Sequence, residues 1–292
     1  MLAEMPGVVV LGELRHMWER GIGNDELCAC STPFSECPFW RSVGDRAFGG
    51  WDRLDVERVL WLKDTVDRKR RLTRTTRRRT PPDLRDDLLA YTGHYRRIYE
   101  AAAEVAGASV VVDSSKVVPL PMALSHDPAI DLRIAHIVRD PRGVAYSWQK
   151  SVARPEKEGE SMPRIGLVDS TQNWVVHNMS MTGLRYRGVP VHRLRYEDLV
   201  RDPGPVVRDL WRGLRLPGSA ELPLSDRHTI TLNGTHSVAG NPMRFRTGET
   251  TVRPDTEWVG RMNARDRRAV TALSLPLLKR YGYPARVREV PA

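Results

Sequence analysis

Arg139 and Ser147 stand eight positions apart in the stretch DLRIAHIVRDPRGVAYSWQKS, and their types and spacing suit an anion. The run Ile134–Val138 is short and mostly apolar, as expected of a parallel strand covered on both faces. It ends at Arg139. Asp140 then reads as an N-cap and Pro141 as the first helical residue. A helix that starts this way offers unpaired backbone N–H groups and the positive end of its dipole. An arginine beside it adds a bidentate, charge-assisted clamp. Ser147, two turns along, has a hydroxyl within reach of the same anion. The bland alternative is a surface arginine and a helix serine in an ordinary strand–helix unit, and residue chemistry alone leaves both open.

Two more strand ends carry groups that could react. Residues 8–11 form a short apolar strand, followed by Gly12, Glu13, Leu14, Arg15 and His16. Ligands of doubly wound sheets gather at the carboxyl ends of strands, which places Glu13 to act as a general base. His16 is the rival base, and a solvated or capping glutamate is the plain reading. Residues 110–112 are three valines leading into Asp113, Ser114, Ser115 and Lys116. As a point charge, Lys116 could stabilise negative charge that develops during transfer, or could simply be a surface lysine.

Cys28, Cys30 and Cys37 are the chain's three cysteines, spaced C-A-C-x6-C. Clustered cysteines in a reducing compartment suggest metal more than disulfide. Three ligands are one short of a closed zinc site, and the spacing is not that of a C-x2-C knuckle. A histidine such as His16 would complete the set. The reading preferred here is a reduced, partly buried loop with no metal, with Pro38, Phe39 and Trp40 beside it as packing.

The segment from Arg139 to Ser147 resembles the 3′-phosphate-binding motif of sulfotransferases that use 3′-phosphoadenosine 5′-phosphosulfate. In that family a strand ends in arginine and a serine follows eight positions later. The stretch VVDSSK and the pair Gly12-Glu13 resemble its bacterial and tyrosylprotein-type branch. The resemblance implies that Glu13 is the base and that a lysine in the region of Lys116 is catalytic. It implies that Tyr196, in Arg195-Tyr196-Glu197-Asp198, lies near the adenine. A C-terminal basic loop is also implied to reach the 3′-phosphate, with Arg244 as the candidate. The donor is then a co-substrate and no metal is required.

The same resemblance implies an opening strand and a Gly-rich loop ending in Arg-Ser-Gly-Thr-Thr that cradles the 5′-phosphosulfate. Neither that stretch nor a G-x-x-x-x-G-K-[ST] loop occurs in these residues. Met1 falls where the helix after the loop should be ending. An unpaired slot in the sheet is therefore expected.

These residues need a scaffold of strands and helices. Four apolar runs, at 8–11, 110–112, 134–138 and 189–194, alternate with helical patterns. The expected fold is α/β, a P-loop-like doubly wound parallel sheet with flanking helices. Residues 40–105 read as a helical excursion beside it. A basic helix is expected over 54–79, and a helix capped by Asp83 carries Leu84, Leu88, Tyr91, Tyr95, Ile98, Ala102 and Val105. Further helices are expected over 169–186, 197–214 and 265–281, and a charged loop over 153–166 near the site. Residues 229–258 show turns and little periodicity. No linker divides the chain, so 1–292 reads as one domain.

At 292 residues the chain can bury roughly 75% of its unfolded surface. Its net charge of +10 suits an anionic ligand. No apolar run approaches the roughly 20 residues that span a bilayer, and residues 1–11 do not read as a signal peptide. A cytoplasmic location is expected. Basic runs at 69–71 and 77–79 lack interleaved aromatics, so nucleic acid is not the expected partner. The function expected is sulfonyl transfer to an acceptor hydroxyl by direct in-line attack. The alternatives are a degenerate, inactive relative that binds nucleotide or polyanion, and a phosphotransferase of the P-loop class. The missing Walker lysine counts against the last.

Overall fold

Two parallel strand pairs hold the candidate residues at their carboxyl ends. β1 (Val8–Gly12) pairs with β2 (Val110–Asp113), Val8 lying opposite Val110. β3 (Ile134–Val138) pairs with β4 (Val191–Arg195), Ile134 opposite Val191. The computed structural model describes residues 1–153 and 161–286. Residues 154–160 of the charged loop expected at 153–166 lie outside the described residues.

The chain is an α/β protein with parallel strands, as its apolar runs predict. The ladders form two separate pairs, and no described strand bridges β2 to β3. Ile137 on β3 is 53% exposed. That strand is therefore not covered on both faces, although its composition suits such burial. A third pair, antiparallel, joins β5 (Thr229–Leu232) to β6 (Gly248–Thr251). The expected turn region thus contains strands, too short for their alternation to stand out from the loops around them.

Between β1 and β2 run α1 (Pro38–Phe48), α2 (Val56–Val66), the single turn α3 (Leu72–Thr75) and α4 (Arg85–Ala106). The stripe of α4 buries Leu88, Tyr91, Tyr95, Ile98 and Ala102 against Trp18, Trp40 and Leu62 in the largest core cluster. Gly107 ends α4 in the left-handed region at φ 59°, where glycine pays no Cβ penalty. Asp83 does not cap this helix; it pairs with Arg74.

The basic helix expected over 54–79 stops at Val66. Asp67 leaves helical geometry and turns its buried carboxylate to Arg15 Nε at 2.7 Å and the Tyr91 hydroxyl at 2.9 Å. Much of the basic run then folds back on the protein. Arg68 and Arg70 pair with Asp64, and Lys69 meets Asn173.

After β2 come α5 (Pro119–Leu124), then β3 and α6 (Pro141–Gln149). Asp140 caps α6 by accepting from the Arg142 N–H at 2.9 Å, as the sequence predicts. α7 (Leu167–Tyr186) leads to β4. The single helix expected over 197–214 is two, α8 (Tyr196–Arg201) and α9 (Pro203–Gly213), because Asp202 at φ −152° and Pro203 break it. α10 (Glu257–Arg261) and α11 (Ala264–Arg280) follow β6, and α11 packs on α6 and α7. No described helix is long and apolar enough to cross a membrane.

Candidate active site

Glu13 and Lys116 meet where β1 and β2 end. Lys116 Nζ lies 2.7 Å from Glu13 Oε1; the lysine side chain is 63% exposed and the glutamate 14%. His16 Nε2 stands 3.8 Å from Glu13 Oε2. Burial lowers the His16 pKa below its ordinary value, which keeps the ring neutral near pH 7. Lys116 and the rival base His16 therefore face the two oxygens of the same Glu13 carboxylate.

Backbone bonds hold this corner. A register shift between Val10 and Gly12 ends the β1 ladder, and Gly12 turns the chain at φ 81°. A Cβ at Gly12 would stand 2.7 Å from the Ala239 carbonyl oxygen, so the close approach requires glycine. The Glu13 N–H donates to that same carbonyl at 3.1 Å. Asp113 Oδ1 accepts from the Leu14 N–H at 3.3 Å, and Ser115 Oγ accepts from the Arg15 N–H at 3.0 Å. The Asp113 carboxylate also takes the Ser115 N–H and hydroxyl and the Tyr99 hydroxyl, at 2.6–2.8 Å. Desolvation raises its pKa, against the lowering effect of these donors.

A second cluster forms where β3 and β4 end. Arg139 Nη2 donates to the Asp255 carboxylate and to its backbone carbonyl, both at 3.0 Å. Its guanidinium lies 4.8 Å from the Tyr196 ring centroid. The Tyr196 hydroxyl in turn accepts from the Asp255 N–H at 3.3 Å. Burial raises the Asp255 pKa, and the bond and charge of Arg139 outweigh this, holding it below the usual carboxylate range. Gly143 gives the arginine room, since a Cβ there would lie 3.2 Å from Arg139 Nε. Beside the cluster opens a cleft of about 750 Å³ lined by Tyr196, Asp255, Arg142, Arg195, Glu197 and Trp258. Arg142 is buried, grips Asp140 with Nε and Nη2, and keeps its buried Nη1 without a hydrogen-bond partner among the described residues.

A sulfotransferase family model matches residues 51–220, more than half of the chain. The chain belongs to the sulfotransferase family. The matched part includes Lys116, Arg139, Ser147 and Tyr196; Glu13 and Arg244 lie outside it. Carbohydrate sulfotransferase 5 of Mus musculus is 32% identical over 108 residues, which is 30% of this chain and 26% of that protein. The chain thus spans about a quarter of that relative's length. A sulfotransferase domain from the curacin biosynthetic pathway superposes loosely, with a TM-score of 0.40 and 17% identity over 96% of this chain and 99% of that domain.

In this sulfotransferase-family chain the other expected residues are placed as follows. Ser147 sits half-buried on α6, and its hydroxyl makes no hydrogen bond to a described residue. Arg244 is anchored away from Arg139, donating to the carbonyls of Leu27 at 2.8 Å and Ser237 at 3.1 Å. Sequence reasoning missed Asp255, which follows a hairpin that has no periodic signal. It also missed the bracing by Asp113, Ser115 and Tyr99. The polar cluster after the valine run was the available clue to the first two of these.

Proposed function

We propose that this member of the sulfotransferase family transfers a sulfonyl group from 3′-phosphoadenosine 5′-phosphosulfate to an acceptor hydroxyl by in-line attack. The observation that carries the reading is the 2.7 Å contact between Glu13 and Lys116. It joins a carboxylate and an ammonium from two different strands at the edge where ligands of such sheets bind. Transfer of this kind needs a base for the acceptor proton, positive charge near the transferring group, and a hold on the nucleotide.

The residues at the second cluster fit such a nucleotide on two counts. Arg139 already grips a carboxylate, an anion of the kind a phosphate would replace. The adjoining cleft is lined by Tyr196 and Arg142, and the buried Arg142 guanidinium keeps Nη1 without a hydrogen-bond partner among the described residues. When bound, the co-substrate supplies the sulfonyl group and a nucleotide leaving group. Arg139 binds the 3′-phosphate in exchange for Asp255, and the Ser147 hydroxyl adds a donor from α6. Tyr196 packs by the base. Lys116, released from Glu13, offsets the charge of the transferring group. Glu13 takes the acceptor proton on its carboxylate, with His16 as the alternative base. Arg244 keeps to the loop over Gly12, and the phosphate role falls to Arg139 and Ser147.

The direct test is incubation of the purified protein with radiolabelled donor and a panel of sugar, phenol and tyrosyl-peptide hydroxyls. Label should pass to at least one acceptor with release of 3′-phosphoadenosine 5′-phosphate. No labelled product, together with no calorimetric binding of either nucleotide, would overturn the reading.

A further inference from the structure

The cysteine loop gains a fourth partner that is remote in sequence. His236 lies 199 residues beyond Cys37, yet its Nδ1 stands 3.3 Å from Cys37 Sγ and 3.9 Å from Cys28 Sγ. Cys37 Sγ lies 3.6 Å from the sulfurs of both Cys28 and Cys30. The four donor atoms all fall within 4.8 Å of one another. A tetrahedral zinc ion with Zn–S bonds of about 2.3 Å and a Zn–N bond of about 2.1 Å sets its sulfurs about 3.8 Å apart and sulfur to nitrogen about 3.6 Å. The observed sulfur–nitrogen separations bracket that edge, and the two 3.6 Å sulfur–sulfur separations lie just under theirs.

The surroundings are also those of a ligand set. Cys37 is the N-cap of α1, where the helix dipole favours a thiolate. The His236 ring stacks on Phe39, centroids 5.0 Å apart and planes 8° apart, and its backbone carbonyl accepts from Trp40 Nε1 at 2.7 Å. These contacts hold the segment and its ring with Nδ1 toward the sulfurs. Cys28 and Cys37 are buried, and no pair of the three cysteines is joined as a disulfide.

We propose that Cys28, Cys30, Cys37 and His236 bind one zinc ion in a closed structural site that pins residues 235–240 against the end of β1. Soft thiolates with one imidazole in tetrahedral array select zinc over magnesium or calcium. Binding replaces the thiol protons, which pass to solvent. The pinned segment is the one that supports the Glu13 corner. The Ala29 N–H donates to the Ser237 carbonyl at 3.1 Å, the Val238 N–H to Leu11 at 3.0 Å, and the Glu13 N–H to Ala239 at 3.1 Å. The metal thus fastens two remote pieces of chain to the strand that presents the candidate base. This role is independent of the nucleotide reading, because it concerns a structural tie.

The test is metal analysis of protein purified without a metal-affinity tag. About one zinc per chain is expected by mass spectrometry, as in closed three-cysteine, one-histidine sites. His236→Ala and Cys30→Ser should each weaken zinc binding at least about tenfold. Cys30 is half-buried, so its serine variant remains informative should His236→Ala fold poorly. A zinc chelator should lower the melting temperature of the unmutated protein, and added zinc should restore it. Cobalt should give the visible absorption of a tetrahedral thiolate site. Substoichiometric zinc with no cobalt spectrum would overturn the proposal. So would unchanged zinc content in both variants, or a disulfide found among the three cysteines by mass spectrometry.

Discussion

The two strand-end clusters are built in opposite ways. Around Glu13, the backbone is pinned first and the side chain follows. Asp113 and Ser115 hold successive N–H groups of the Gly12–Arg15 turn, while Ala239 holds that of Glu13. Around Arg139 the side chain itself is held, by a carboxylate that is 36% exposed and by the face of Tyr196. A pinned turn presents its carboxylate in a constant direction, as a base requires. A side chain held by a half-exposed ion pair can exchange that partner for a ligand anion at small cost, since such pairs contribute little. The contrast assigns fixed chemistry to the β1–β2 end and exchangeable binding to the β3–β4 end.

The sharpest way to break this contrast is at Glu13. Glu13→Gln keeps the shape and removes the basicity, and a general base contributes about 10²–10⁴-fold. Turnover should fall by at least about a hundredfold on that scale, while affinity for 3′-phosphoadenosine 5′-phosphate stays level. His16→Asn should cost much less. A dead His16→Asn beside an active Glu13→Gln would hand the base role to His16.

Next in size is Arg139→Ala, which should weaken 3′-phosphoadenosine 5′-phosphate by about 2–4 kcal/mol, the worth of a charge-assisted contact in a binding site. Adenosine, lacking the phosphate, should bind as before. Calorimetry that finds equal losses for both ligands would take Arg139 out of the phosphate role.

Asp255→Asn sharpens the exchange idea. Removing the competing negative charge should tighten nucleotide binding by up to about fivefold, the scale of a half-exposed pair. Weaker binding would instead make Asp255 part of the scaffold that orients Arg139.

The smallest effect concerns acid stability at the pinned turn. The folded His16 pKa lies below its ordinary 6.5 because the ring is buried. Below that ordinary value the unfolded chain binds more protons than the folded one, so stability falls as pH drops. His16→Asn should show a shallower loss of melting temperature from neutral pH down through about 6. An unchanged slope would mean that the ring is as hydrated folded as unfolded.

Local reasoning reached the four parallel strands, though not the β5–β6 hairpin, and also the cap at Asp140 and the end of α4 at Gly107, because each depends on a few neighbouring residues. Glu13, Lys116, Arg139 and Tyr196 were legible as candidates because all four follow apolar runs. Lost from view were the break at Asp67 and the split between α8 and α9. The first is driven by a carboxylate drawn to Arg15 and Tyr91, contacts that no window around Asp67 contains.

Composition, periodicity and capping in the chain by itself determined the α/β class and which residues stand at strand ends. Tertiary structure decided how those ends pair. It placed Lys116 on Glu13, gave Arg139 to Asp255, and kept Arg244 on the cysteine loop. It also supplied His236, rather than His16, to the three cysteines. The physical reason is range. Helix caps and strand patterns act over a few residues, whereas an ion pair or a ligand tetrahedron depends on where packing brings segments a hundred or more residues apart.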